Sequence, residues 1–127
     1  MKEITAIIRM DMVNKTKEAI LKLGYPAITA TKVMGRGKKK IAYELFQNVF
    51  SDNEGLTPII AEQLSEEHRL MPKRMIVLVV EDKDVKSIVD IIIEVNQNGN
   101  PGNGKIFVTR VDDIIRVRTG ETGIEAI

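Results

Sequence analysis

Residues 75–96 read MIVLVVEDKDVKSIVDIIIEVN, and this stretch decides the fold. Met75–Val80 is a continuous apolar run of the kind that forms a strand covered on both faces. Asp82 stands where a helix N-cap belongs, and Val85, Ile88, Val89, Ile92 and Val95 then share one face of a helical repeat. Lys105–Thr109 supplies the next strand, with Ile114–Arg118 expected to continue it. The same grammar occurs earlier. Ile4–Arg9 is a β-branched strand, and Met12, Ala19, Ile20 and Leu23 make a helical stripe. Gly24 and Pro26 end that helix, and Ala27–Met34 is a second strand stopped by Gly35. A shift of 71 positions lays Asp11 on Asp82 and Ile20 on Ile91. Two βαβ halves predict an α+β, ferredoxin-like fold, with two helices over one face of a four-stranded sheet. One domain over 1–127 is expected.

Between the halves lies a connection of residues 35–72, far longer than a compact domain needs. Thr57-Pro58 resembles a helix start, with Ile59, Ile60 and Leu64 as its apolar stripe. The first part of the loop is apolar, and Tyr43, Phe46 and Phe50 are three of the five aromatic residues in the chain. Such side chains predict docking to a partner or to another copy, the alternative being that the segment folds onto its own domain.

Composition narrows the chemistry. The 127 residues include no cysteine and one histidine, His68, which removes disulfides, thiolate zinc sites and histidine-rich metal centres. No apolar run approaches the roughly 20 residues of a membrane helix. MKEITAIIR lacks the layout of a signal peptide, so a cytoplasmic protein without membrane insertion is expected. The net charge is +1 and aromatics are 4%, which gives no footing for nucleic acid. Charge is nonetheless segregated: residues 36–40 read RGKKK, whereas 51–67 carry Asp52, Glu54, Glu62, Glu66 and Glu67 with no Lys or Arg.

Two glycine clusters stand out, GRGKKK at 35–40 and GNPGNGK at 99–105. Glycines let successive backbone N–H groups point at an anion, and neighbouring lysines neutralise it. Neither cluster has the spacing of a Walker or Rossmann loop, and each also reads as a plain turn. On an extended strand Arg116 and Arg118 would face the same way, suiting phosphate or carboxylate, or protecting an edge. Lys105 and that arginine pair are expected to bracket one hairpin.

Across nearly its whole length the sequence resembles the PII nitrogen-signalling family. The resemblance is carried by MKEITAIIR, by TATKVMGRG at 29–37, LMPK at 70–73, GNGKIFV at 102–108 and RVRTGETG at 116–123. It implies a trimer of ferredoxin-like subunits that binds ATP or ADP between subunits. A long T-loop, about 36–72, would dock on targets; the B-loop, about 97–105, would meet phosphate; a C-terminal β-hairpin would follow. Position by position, it assigns Gly35, Gly37, Lys38, Gly102, Asn103, Gly104, Lys105, Arg116 and Arg118 to the nucleotide. Thr29 would meet the adenine from the neighbouring subunit. The resemblance implies Mg2+ and 2-oxoglutarate as further effectors, and Lys39 and Lys73 fall on 2-oxoglutarate positions; Lys39 replaces a glutamine and cannot ligate Mg2+, so the usual chelate is altered, although the cation could still meet an acidic ligand. No metal ligand is assigned. Glu66 occupies the place of the modified tyrosine.

The T-loop exceeds the family's usual length by about four helical turns' worth of residues. That expansion resembles the subgroup encoded beside nitrogenase genes, its longer second paralogue in particular. The implied assembly is a homotrimer or a hetero-oligomer with a PII paralogue, and the implied target is nitrogenase. Other nitrogen targets, such as glutamine synthetase or an ammonium transporter, form the alternative. A phosphotransferase on the same fold would need His68, which sits beside Glu66 and Glu67 as an ordinary surface histidine would. The resemblance implies a regulator and not an enzyme.

Overall fold

The computed structural model describes residues 1–37 and 70–127. The chain gathers into two compact units, Met1–Val33 with Lys73–Ile127, and Met34–Pro72. Of the second unit, residues 34–37 and 70–72 are described, so the expected helix start at Thr57-Pro58 lies outside.

The elements are β1 (Lys2–Arg9), α1 (Val13–Lys22), β2 (Thr29–Gly35), β3 (Met71–Val80), α2 (Val85–Asn96) and β4 (Lys105–Arg110). The strands form one sheet in the order β2-β3-β1-β4, with β1 antiparallel to both its neighbours. This is the ferredoxin-like α+β arrangement. β1, β3 and β4 run one or more residues beyond the expected segments where backbone pairing continues, as Lys2↔Val80 and Arg9↔Lys73 show, whereas β2 begins at Thr29, two residues after the expected start at Ala27.

Alternation divides the sheet cleanly. Ile4, Ala6 and Ile8 of β1 and Ile76, Leu78 and Val80 of β3 are buried, against Ile20 of α1 and Ile88 and Ile92 of α2. Removing each of these isoleucine side chains from water contributes roughly 1.5–3 kcal/mol. The opposite face carries three rows read from the register: Met75–Ile7–Lys105, Val77–Thr5–Phe107 and Val79–Glu3–Thr109. Neither α-helix covers that face; Phe107 on it is 47% exposed, while Val77 and Val79 share a cleft with Ile114 and Ile124 of the C-terminal segment.

The expected α1 stripe is displaced. The buried positions are Val13, Thr16 and Ile20, whereas Leu23 follows the last turn and is exposed. Thr16 is fully buried because its hydroxyl donates to Met12 O at 2.7 Å and accepts from Asn96 Nδ2 at 3.0 Å. Asn96 Nδ2 also donates to Ile92 O at 2.9 Å. This polar clamp joins the two helices inside an apolar layer. Asn96→Ala and Thr16→Val should each lower unfolding free energy by about 1–2 kcal/mol, with the double variant losing less than their sum. Urea unfolding of all four proteins at one concentration checks the coupling; strict additivity would remove the clamp from the account.

Asp82 does not cap α2 with its side chain. A 3-10 turn, Asp82–Asp84, leads into the helix, and Asp82 Oδ1 instead takes the Met1 amine at 3.1 Å and Lys2 Nζ at 3.2 Å. Those two donors, the amine first, hold its carboxyl below the ordinary aspartate range.

Candidate functional site

The second glycine cluster becomes a tight loop between α2 and β4. Gly99, Gly102 and Gly104 all have positive φ, the last at 117°. Gly104 also sits where β4 joins β1: a Cβ on it would lie 2.0 Å from Ile7 O. Only glycine fits there. Asn98 N–H donates to Asn103 Oδ1 at 3.1 Å, Asn100 N–H to Asn98 Oδ1 at 3.0 Å, and Asn103 Nδ2 to Asn98 Oδ1 at 2.6 Å. The N–H groups of Gly102, Asn103 and Gly104 have no acceptor among the described residues. Three consecutive uncommitted amides are the raw material of an anion cradle.

Cations gather beside it. Lys73 Nζ donates to Gly102 O at 3.0 Å, so β3 and the loop are joined directly. Arg9 pairs with Lys73, and Ile7 with both Met75 and Lys105, which places Arg9, Lys73 and Lys105 on the face opposite the helices at one end of the sheet. Asp11 lies 3.9 Å from Arg9 Nε, a nitrogen that is buried without a hydrogen bond among the described residues. Arg9 is absent from the residues that the sequence alone points to. A signal for it exists there, since it stands two residues after Ile7 in a strand and so shares that residue's face.

The arginine pair is arranged differently from expectation. β4 ends at Arg110, and residues 117–119 form a turn, so Ile114–Arg118 neither continues β4 nor pairs with it. A separate C-terminal hairpin is closed by the Ile115↔Thr122 bridge, with Arg116 N–H on Glu121 O at 2.9 Å and Gly120 N–H on Arg116 O at 2.7 Å. Same-face alternation requires extended backbone, and the turn removes it. Arg116 donates to the Glu121 carboxylate and, through Nη2, to Glu125 O at 3.0 Å and Ile127 O at 3.4 Å. A guanidinium has five N–H donors, so Nε–H and one Nη1–H remain available. Arg118 is exposed and has no hydrogen-bond or ion-pair partner among the described residues.

Thr29 opens β2, at the opposite edge of the sheet from Lys105. Three interstrand spacings separate those edges, roughly 14 Å. Thr29 lines a cleft of about 540 Å³ whose walls include Ile28, Val77, Val79, Ile114 and Ile124. Tyr25, on the same rim, donates to the Asp84 carboxylate and accepts from Glu81 N–H at 3.4 Å. Burial, and then the bond to Asp84, push its phenol up to about 12. That cleft is lined mainly by apolar residues and is of a size to take an aromatic ring system.

The structure thus brings Gly102, Asn103, Gly104, Lys105 and Lys73 together and leaves Thr29 at a distance. Gly35 and Gly37 belong to the second unit. Lys38, Lys39, Tyr43, Phe46 and Phe50 lie outside the described residues. Among the described residues no three histidine or acidic side chains gather to hold a metal ion.

Residues 1–121 match the family model described as Nitrogen regulatory protein P-II. The chain is 42% identical to a "Nitrogen fixation nifHD region GlnB-like protein 2" of Methanothermobacter marburgensis over the full length of both. It is 45% identical to the protein of the same description from Methanococcus maripaludis, again over the full length of both. In structure it is similar to Arabidopsis thaliana PII bound to citrate, with a TM-score of 0.72 and 30% identity. That similarity covers 99% of this chain and 91% of the other.

Proposed function

Since the chain belongs to the nitrogen regulatory protein P-II family, in its nif-associated group, we propose that it is a nucleotide-sensing regulator that docks its long arm on nitrogenase. The observation that carries this reading is the loop Gly102–Gly104, whose three amides have no acceptor among the described residues, set beside Lys73 and Lys105; the exposed Arg118 is assigned to the same phosphate by resemblance. The site's donors fit a polyphosphate in number and charge, and nothing in it resembles a nucleophile paired with a base. ATP or ADP is the effector that joins such a phosphate cradle to an apolar cleft for a base.

Thr29 and Lys105 stand at opposite edges of one sheet, and we read them as halves of a site shared between two copies, as the family resemblance implies. The face opposite the helices, with Phe107, Val77 and Ile7, gives those copies an apolar surface to share. The assembly we propose is the trimer that the family resemblance implies, or a mixed assembly with a paralogue. Gly35, Gly37 and Lys38 are assigned to the same nucleotide by resemblance. Lys73, with Lys39, is assigned to a carboxylate ligand such as 2-oxoglutarate; the similar Arabidopsis protein was crystallised with citrate. Mg2+ bound with the nucleotide would be held mainly by phosphate oxygens, and no residue of the chain is assigned to it.

The arm, residues 38–71 with Tyr43, Phe46 and Phe50, is the proposed effector, its position selected by what occupies the cradle. Titration calorimetry with ATP, ADP and AMP, each with and without 2-oxoglutarate, tests the sensor; native mass spectrometry of the same samples tests the assembly. Protein lacking residues 38–71 should keep its oligomer and its ATP affinity while losing nitrogenase association in a pull-down. Retained association would refute the arm's role, and unmeasurable ATP binding by the intact protein would refute the sensor.

A further inference from the structure

The loop of residues 98–103 is closed by its own side chains, and this closure has a direction that matters. The two amides are oriented by backbone donors. Asn98 N–H requires the oxygen of Asn103, and Asn100 N–H requires the oxygen of Asn98. With both oxygens fixed, Asn103 Nδ2 must face Asn98 Oδ1, where it donates at 2.6 Å. The result is a reciprocal clasp: residue 103 gives one bond to residue 98 and takes one from it. Two of the loop's backbone donors are thereby spent inside the loop, and those of Gly102–Gly104 are spared.

We propose that Asn98 and Asn103 form an amide clasp that positions the Gly102–Gly104 backbone for anion binding, and that residue 103 must be an amide for it to close. Asn103 is then a positioning residue whose side chain works inside the loop. A carboxylate at 103 would still accept from Asn98 N–H, but it would have no donor for Asn98 Oδ1 and would set two oxygens against each other. A carboxylate at 98 would do the reverse, because both of its partners, Asn100 N–H and Asn103 Nδ2, are donors. The clasp therefore separates two substitutions that add the same charge to the same loop.

The proposal rests on the nucleotide reading, and the test keeps the two apart. Full-length protein and its Asn98→Asp, Asn103→Asp, Asn98→Ala and Asn103→Ala variants, with the double alanine variant, are titrated with ATP. Amide hydrogen exchange across residues 97–105 is followed on the same proteins without nucleotide. Opening the clasp, by loss of the Asn103 Nδ2 to Asn98 Oδ1 bond in each case, should weaken ATP binding about tenfold in Asn103→Asp and in either alanine variant. Asn98→Asp should lose much less than Asn103→Asp, and the double alanine variant no more than the single ones. The Asn98 and Asn100 amides should be protected in the parent protein and in Asn98→Asp, whereas the Asn98 amide should exchange freely in Asn103→Ala and the Asn100 amide in Asn98→Ala. Equal weakening by the two aspartates would reduce the effect to charge and overturn the proposal. Unprotected Asn98 and Asn100 amides in the parent would overturn the clasp itself. Protected amides in a parent that does not bind ATP would instead overturn the nucleotide reading and, with it, the positioning role.

Discussion

Gly104→Ala should destabilise the protein by about 3–5 kcal/mol and abolish measurable ATP binding. The added methyl would lie 2.0 Å from Ile7 O, 3.0 Å from Ile7 C and 3.3 Å from Ile8 Cα. All three are backbone atoms of a central strand, so no side chain can swing aside to make room. The φ of 117° adds strain of its own for any residue with a Cβ. Relief requires pulling Lys105 away from its pairing with Ile7, which opens β4 at the end that carries the proposed phosphate cradle. Gly99→Ala is the matched control. Gly99 has φ of 79°, but a methyl added there would meet nothing within 4 Å, so only about 1–2 kcal/mol of left-handed backbone cost applies. Urea unfolding and ATP titration of the two variants side by side check the difference. Equal behaviour would mean that loop flexibility, and not contact with β1, decides the requirement for glycine.

The second large effect separates two arginines that look equivalent in sequence. Arg118→Ala should weaken ATP binding about 10- to 100-fold, the worth of a charge-assisted contact to phosphate, and leave the melting temperature where it was. Its guanidinium touches no other described group, so folding loses nothing with it. Arg116→Ala should weaken ATP binding and also lower the melting temperature. It would release the Glu121 carboxylate and the carbonyls of Glu125 and Ile127, all held by that one side chain. Arg116→Lys should restore part of the charge without the fork, and so recover less stability than affinity. Calorimetric titration and thermal melting at a fixed protein concentration check all three. Unchanged affinity in Arg118→Ala would remove that residue from the site.

These arginines also mark where the sequence stops being readable. Strands and helices are legible because each leaves its own mark: β-branched residues in Ile4–Arg9, a continuous apolar run in Met75–Val80, and an apolar residue every third or fourth position in Val85–Ile92. Strand alternation puts Arg116 and Arg118 on one face, in a segment where it does not hold. The Thr119-Gly120 step turns the chain, with Gly120 at φ 71°, and alternation ends with the extended backbone. Thr16 and Asn96 are invisible for a different reason. A hydroxyl on a helix stripe reads as surface, and only the partner 80 residues away makes it a core residue. The loop glycines, Lys73 and Lys105 can be found because backbone freedom and charge leave a mark in one dimension. The Asn98–Asn103 closure cannot, since amide direction depends on which donors the folded backbone presents.

The separation of Thr29 from Lys105 across the width of the sheet has a consequence for dilution. If each chain supplies half of a binding site at either edge, nucleotide and subunits are linked by mass action, and each raises the apparent affinity of the other. Occupancy then depends on how much protein is present as well as on how much ATP. Sparse chains would read a given ATP level as lower than abundant ones do. A paralogue offering a compatible edge would complete the site as well as a second copy does, so the mixture of chains in the cell becomes part of the signal.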